Sequence, residues 1–332
     1  GGADIITGGS GADAVNGGSG NDIITGGADN DNMTGGAGND TFNVDSGTDT
    51  ITDLATGDVL VVSSGAIANA TNISAFVATG STTNQGTANL TTATGGGTID
   101  VGNSVTGSYE LTGLGNGDTL KGNGNNDTID GGNGADTIDG RGGNDTINGG
   151  AGNDTIVVST AGQGNSDTVD GGSGTDTLQL STGSHSISND AYIQNIQNIT
   201  LNASGTTVDL TGQTEGFTIT GGAATDTITA GSGADIIDGA GGADTITGAG
   251  GADTISLGSS DSASDIIIFD ASSGMDIIQQ FTAGASGSSG DILKYTGNLN
   301  NNGSSANTSN GSDGADDLIS ADFVVNAQNS TL

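Results

Sequence analysis

The sequence predicts an all-β fold, a right-handed parallel β-helix wound from short repeats. Three observations carry that prediction. Aspartate keeps a fixed interval, with Asp4, Asp13, Asp22, Asp31, Asp40 and Asp49 standing nine residues apart without a slip. Glycine, 65 of 332 residues, gathers just ahead of these aspartates, and a large apolar residue follows each one two positions later. Proline, cysteine and tryptophan are absent and aromatics make up 3% of the chain, too few for a conventional packed core. A short fixed period dictates architecture and is read before local propensity.

The unit is visible in Gly8-Gly9-Ser10-Gly11-Ala12-Asp13-Ala14-Val15-Asn16 and in Gly17-Gly18-Ser19-Gly20-Asn21-Asp22-Ile23-Ile24-Thr25. Its form is G-G-x-G-x-D-x-U-x, where U is large and apolar. The first six residues make a turn that needs the positive φ angles glycine allows. The last three make a short strand whose middle side chain points inward. Two units close one coil, coils stack in parallel, and the crossover rule sets the hand. Stacked Ile, Val and Leu then form the core of a solenoid.

In chain order, residues 1–52 form a first repeat block with Val15, Ile24, Met33, Phe42 and Ile51 at U. Asp29 replaces its fourth-position glycine at one turn, a tolerable change because Asp visits the left-handed region more readily than most residues. Residues 53–112 lose the period. Strands are expected at Val59–Val62 and Thr98–Val101 and a short helix around Thr71–Val77. This segment either continues or caps the solenoid, or forms a lateral interaction module. Residues 113–179 resume with Asp118, Asp127, Asp136, Asp145 and Asp154, then Asp167 and Asp176 after a four-residue insertion. Clear turns here are Gly131-Gly132-Asn133-Gly134 and Gly149-Gly150-Ala151-Gly152, whereas Gly113–Asp118 is degenerate and expected to be weak. Residues 180–220 lack the turn but alternate apolar and polar, reading as wider rungs without metal. Residues 221–281 carry Asp226, Asp235, Asp244 and Asp253 and decay toward a closing segment beginning at Asp276. Residues 282–332 are loop-rich, with a mobile loop expected over 298–317 and a short strand at Phe323–Val325. Gly1 falls at the third position of a repeat, which predicts a piece of a longer protein.

These phased turns resemble the RTX (repeats-in-toxin) nonapeptide family of calcium-binding β-rolls, and most closely its bacterial surface-layer (S-layer) proteins. The resemblance implies that each ion sits between two turns stacked in one row, two repeats apart. The pairs are Asp4/Asp22, Asp13/Asp31, Asp22/Asp40, Asp31/Asp49, Asp118/Asp136, Asp127/Asp145, Asp136/Asp154, Asp226/Asp244 and Asp235/Asp253, so roughly nine Ca2+ ions. The glycines of the turns, Gly8, Gly9, Gly11, Gly17, Gly18, Gly20, Gly131, Gly132, Gly134, Gly149, Gly150 and Gly152 among them, supply carbonyl oxygens, and Asp167 and Asp176 extend the row. Calcium accepts six to eight hard oxygens in forgiving geometry. Without it, glycine entropy and aligned carboxylates oppose folding, so binding energy becomes folding energy. The resemblance also implies type I secretion, with folding in calcium outside the cell.

Bulk charge narrows the function. The 39 acidic residues, all Asp except Glu110 and Glu215, face three basic ones for a net charge of −36. That balance excludes nucleic acid, whose phosphates Lys121, Arg141 and Lys294 could not hold. No run is long and apolar enough for a membrane helix. The single His185 cannot build an HExxH zinc site and is given no role. No GxSxG surrounds a serine, so no enzyme activity is expected. Three readings remain. The first is a self-assembling extracellular structural protein whose partners are its own copies and a cell-surface polysaccharide. The second is the folding and secretion module of a larger toxin, protease or lipase. The third is an adhesin, disfavoured because outward position nine varies and makes no uniform threonine ladder.

Overall fold

A computed structural model describes residues 1–159, 167–258, 263–269, 274–281, 290–295 and 323–326. Most of the insertion ahead of Asp167, the expected loop over 298–317 and residues 282–284 of the closing segment lie outside the described residues. The fold is an all-β parallel solenoid, and among the described residues no helix forms.

The chain makes two compact units. The first holds Gly1–Ser159, Ser166–Thr177 and Ile193–Asn195; the second holds Leu178–Tyr192 and Ile196 onward. In the first unit Ile5–Ser10 pairs with Ile23–Ala28 and Ala14–Ser19 with Asn32–Ala37, all parallel and eighteen residues apart in register. Alternate strands here therefore build separate sheets, as a two-strand coil requires. The U residues face inward: Ile24, Met33, Phe42 and Ile51 are fully buried, as are Leu120, Ile138 and Ile156 further along. Alternation along each strand puts their neighbours outward.

Strands in residues 1–37 run six residues rather than the expected three, because the first two glycines of each turn stay in the ladder. Gly9 opposite Gly27 and Gly18 opposite Gly36 are paired positions. From residue 113 onward most repeat strands shrink to three residues, such as Thr128–Asp130 and Thr146–Asn148.

Residues 53–112 continue the stack of the first unit with longer coils. Ala75–Val77 pairs with Thr98–Asp100, and Thr98–Asp100 with Thr119–Lys121. The helix expected around Thr71–Val77 does not form; the chain makes strands Ile67–Ile73 and Ala75–Val77 instead. Ala70, Ile73 and Phe76 are all buried at a spacing of three, which imitates a helix. A left-handed corner at Asn72 (φ 61°) produces that spacing within extended chain.

In the second unit one sheet includes Asn198–Leu201, Thr218–Thr220, Ile236–Asp238, Thr254–Ser256, Asp276–Gln279 and Phe323–Asn326. The other runs from Gly183–Ser186 through Thr206–Asp209, Thr227–Thr229 and Thr245–Thr247 to Ile266–Phe269 and Ile292–Tyr295. His185 takes an inward U position opposite Val208, is buried, and holds the Ser181 carbonyl at 2.8 Å through Nε2.

Threonine does form an in-register column, at position seven, two places earlier than position nine. Thr98, Thr119, Thr137 and Thr155 stack on one sheet of the first unit, and Thr128, Thr146 and Thr168 on another. At position nine acids alternate with partners. Asn148 donates to Asp130 (3.0 Å), and Asn195, one residue past the column, donates to Asp170 (2.7 Å). Direct stacking of like charges is avoided there.

Candidate metal centre

The turn begins with a glycine that has no room for a side chain. A Cβ on Gly149 would lie 2.5 Å from the Gly171 carbonyl oxygen and 2.7 Å from Asp154 Oδ2. Gly8, Gly17 and Gly131 face the same pair of oxygens, a carbonyl from the next coil and the carboxylate of their own turn. The second glycines Gly9, Gly18, Gly132 and Gly150 have φ between 87° and 112°, and the fourth glycines Gly11, Gly20, Gly134 and Gly152 between 98° and 144°. Other residues adopt that region only with strain.

Each repeat aspartate then reaches back toward the preceding coil. The backbone N–H of Asp13 donates to Asp31 Oδ1, Asp22 to Asp40, Asp118 to Asp136, Asp136 to Asp154, and Asp235 to Asp253, at 2.7–2.9 Å. Asp4 to Asp22, Asp31 to Asp49, Asp127 to Asp145 and Asp226 to Asp244 complete the nine expected pairs. The same bond crosses the longer coil, from Asp145 to Asp167 and Asp154 to Asp176, both 2.8 Å. The structure thus brings together every same-row pair read from the spacing. All of these carboxylates are buried except Asp4 and Asp13, in the first coil.

In most of these carboxylates Oδ1 is satisfied and Oδ2 is not. Asp13, Asp22, Asp31, Asp49, Asp118, Asp136, Asp145, Asp154, Asp235 and Asp253 each carry a buried Oδ2 with no hydrogen-bond partner. At Gly26 the Oδ2 atoms of the row partners Asp31 and Asp49 meet in one cradle. Burial without a counter-charge, opposed by the backbone bond and reinforced by neighbouring aspartates, pushes Asp145 up to about 8 and Asp253 to about 7. Burial likewise raises Asp136, Asp167 and Asp235 to about 6. Buried anions of this kind require a cation or a proton.

The donors fit calcium. They are carboxylate and carbonyl oxygens around the side-chain-free face of a glycine, the hard-oxygen set that ion prefers. Among the described residues no group of three or more His, Cys, Asp or Glu gathers, so nothing resembles a transition-metal site. Bound there, calcium supplies the positive charge that lets the aligned carboxylates stay ionised. The glycine carbonyls and Asp Oδ2 atoms would hold it; the Oδ1 bonds set the spacing of the coils.

The turns are not all alike. Gly113–Asp118, expected to be weak, has the same arrangement as its neighbours: Asp118 Oδ2 lacks a partner and Gly113 faces it together with the Gly131 carbonyl. Asp127 and Asp226 differ, since Asn123 N–H and Gly222 N–H donate to their Oδ2 atoms at 2.7 Å. Asp58 was legible but missed. It stands nine residues after Asp49, is buried, and accepts the Asp40 N–H at 2.8 Å, continuing the row after the glycines have faded. Asp265 and Asp276 likewise accept from Asp244 and Asp253, where uneven spacing hid them.

A family model for the RTX calcium-binding nonapeptide repeat matches residues 1–24, 16–51, 112–147, 121–156, 161–183 and 219–258. No curated protein matches the chain. The matched stretches are the ones whose turns hold the unpartnered carboxylates, so sequence model and geometry select the same residues. The chain belongs to the RTX family of calcium-binding repeat proteins.

Proposed function

We propose that this chain is a calcium-dependent, self-assembling extracellular structural protein, a component of a surface layer or surface filament. It folds after export, when roughly nine calcium ions fill its stacked turns. The observation that carries this reading is the continuation of parallel stacking through residues 53–112, where the calcium turn is missing. A module needed only for folding and secretion has no use for those added coils, whereas a structural rod gains length and lateral surface from them.

The side chains support the same reading. The only histidine is locked in the core against a backbone carbonyl. The paired carboxylates are enclosed within turns, where no substrate reaches them, so we assign no catalysis. Exposed Ile236, Ile277 and Ile292 offer apolar contact on the second unit. No helix among the described residues is long and apolar enough to cross a membrane. The in-register threonine columns favour a second reading, an adhesin that presents an ordered hydroxyl surface.

Assembly is tested by electron microscopy and light scattering of the protein in chelator and after calcium addition. Sheets or filaments appearing with calcium support the layer. A calcium-loaded protein that stays monomeric at high concentration rules it out.

A further inference from the structure

Two of the three basic residues in the chain lie at one place. Asp100, Lys121 and Asp139 are consecutive members of one outward column, so Lys121 stands between two carboxylates. Arg141 sits at the second position of its turn, where the repeat has glycine, with φ 66°. Its guanidinium Nη2 lies 3.1 Å from both Asp100 carboxylate oxygens, two coils back, and its Nε lies 4.0 Å from Asp139 Oδ2. Gly102 is open for it, since a Cβ there would overlap Nη1. The cluster of two acids and two bases is neutral and partly buried.

The turn beneath it has both oxygens of its carboxylate hydrogen-bonded. Tyr109 occupies the place of an aspartate and donates its N–H to Asp127 Oδ1 at 2.7 Å. One carboxylate is therefore missing from that pair. Asn123, again at a glycine position, fills the gap. It is buried, its N–H satisfies Asp127 Oδ2, and its Nδ2 donates to the Gly107 carbonyl at 2.9 Å.

We propose that the Asn123 N–H, which satisfies Asp127, and the Arg141 guanidinium, which ties three successive coils through Asp100 and Asp139, make residues 98–141 a seed that keeps its order with the least help from the metal. Calcium-filled coils then stack onto it through Asp145 and Asp154. The strain of a left-handed arginine is offset by its charge-assisted hydrogen bond to Asp100. This inference rests on calcium binding by the later turns and is independent of assembly into a layer.

Hydrogen exchange of the full chain tests it, in chelator and in saturating calcium. Arg141→Gly restores the repeat's own residue and relieves the backbone, and Lys294→Gln is a control for the lost charge. In chelator the wild type should protect 98–100, 119–121 and 137–139 above 227–229 and 245–247. Arg141→Gly should reduce that protection about fivefold, and Lys294→Gln should leave it unchanged. Equal exchange of all these strands in the metal-free wild type overturns the seed, as does an Arg141→Gly protein that matches wild type. If calcium fails to protect 145–176, the calcium reading fails separately from the seed.

Discussion

Residues 113–179 and 221–258 carry the same turn and hold it by different means. In the first, the fifth position is often asparagine, and its side chain ties coil to coil. Asn126 Oδ1 accepts the Asn144 N–H and Asn153 Oδ1 the Thr175 N–H, both at 2.9 Å. In the second, that position is Thr225 once and then Ala234, Ala243 and Ala252, and the alanines can make no such bond. The second stretch also places Ala240 and Ala249 in the left-handed region, at φ 64° and 62°. Glycine would sit there without strain. Nothing in it corresponds to the Arg141–Asp100 pair. Residues 221–258 therefore lean almost wholly on the ion, whereas 113–179 has bonds that persist without it. As calcium is withdrawn, 221–258 should open first.

The largest effect should come from changing a single carboxylate, and its sign should depend on calcium. Asp253→Asn keeps an oxygen for the Asp235 N–H but removes the buried charge. In chelator the variant should be more ordered than wild type; in calcium it should be less stable by roughly 2–3 kcal/mol. Asp226→Asn differs, because both Asp226 oxygens already accept backbone bonds from Thr206 and Gly222. Its amide would face the Gly222 N–H and destabilise in both conditions. Thermal unfolding of the two variants, with and without calcium, checks the contrast. A single sign throughout for Asp253→Asn would remove the metal from the account.

Acidity should imitate the ion. Folded-state values raised to about 8 at Asp145, about 7 at Asp253 and about 6 at Asp136 and Asp235 lie above the ordinary carboxylate value. Stability tied to those protons is fully present below about pH 4 and is lost as pH rises through 6–8. Metal-free protein should thus gain β structure near pH 4 and lose it by pH 8, while calcium-loaded protein stays folded at neutral pH. Circular dichroism across that range decides it.

Two smaller changes sharpen the comparison. Asn153→Ala removes one coil-to-coil bond and should cost about 1 kcal/mol in 113–179, read as a lower urea midpoint. Ala240→Gly should stabilise 221–258 by about 0.5–1 kcal/mol through relief of the left-handed backbone. Its mark is a slightly lower calcium requirement, and an unchanged one would mean the alanine turn is unstrained.

Much of this was legible in the spacing. The nine-residue interval places Asp13 above Asp31 and Asp136 above Asp154, and the alternate inward residues fill the core as expected. What spacing hid was the asymmetry of the carboxylate, one oxygen bonded and one bare, because that depends on where a backbone N–H falls in the coil before. Phe76 looked helical because a corner at Asn72 changes the phase of burial. The Arg141–Asp100 pair lies two coils apart and has no signature along the chain. Asp58 was present in the interval but lacked the glycines that announce a turn.

The central claim is that calcium completes these turns and so makes the fold. Far-ultraviolet circular dichroism of the whole chain, first in chelator at neutral pH and then in millimolar calcium, tests it most directly. The account predicts a largely coil spectrum, with residual order from residues 98–141, that converts to β structure when calcium is restored. A chain with the same β spectrum in both conditions would contradict it.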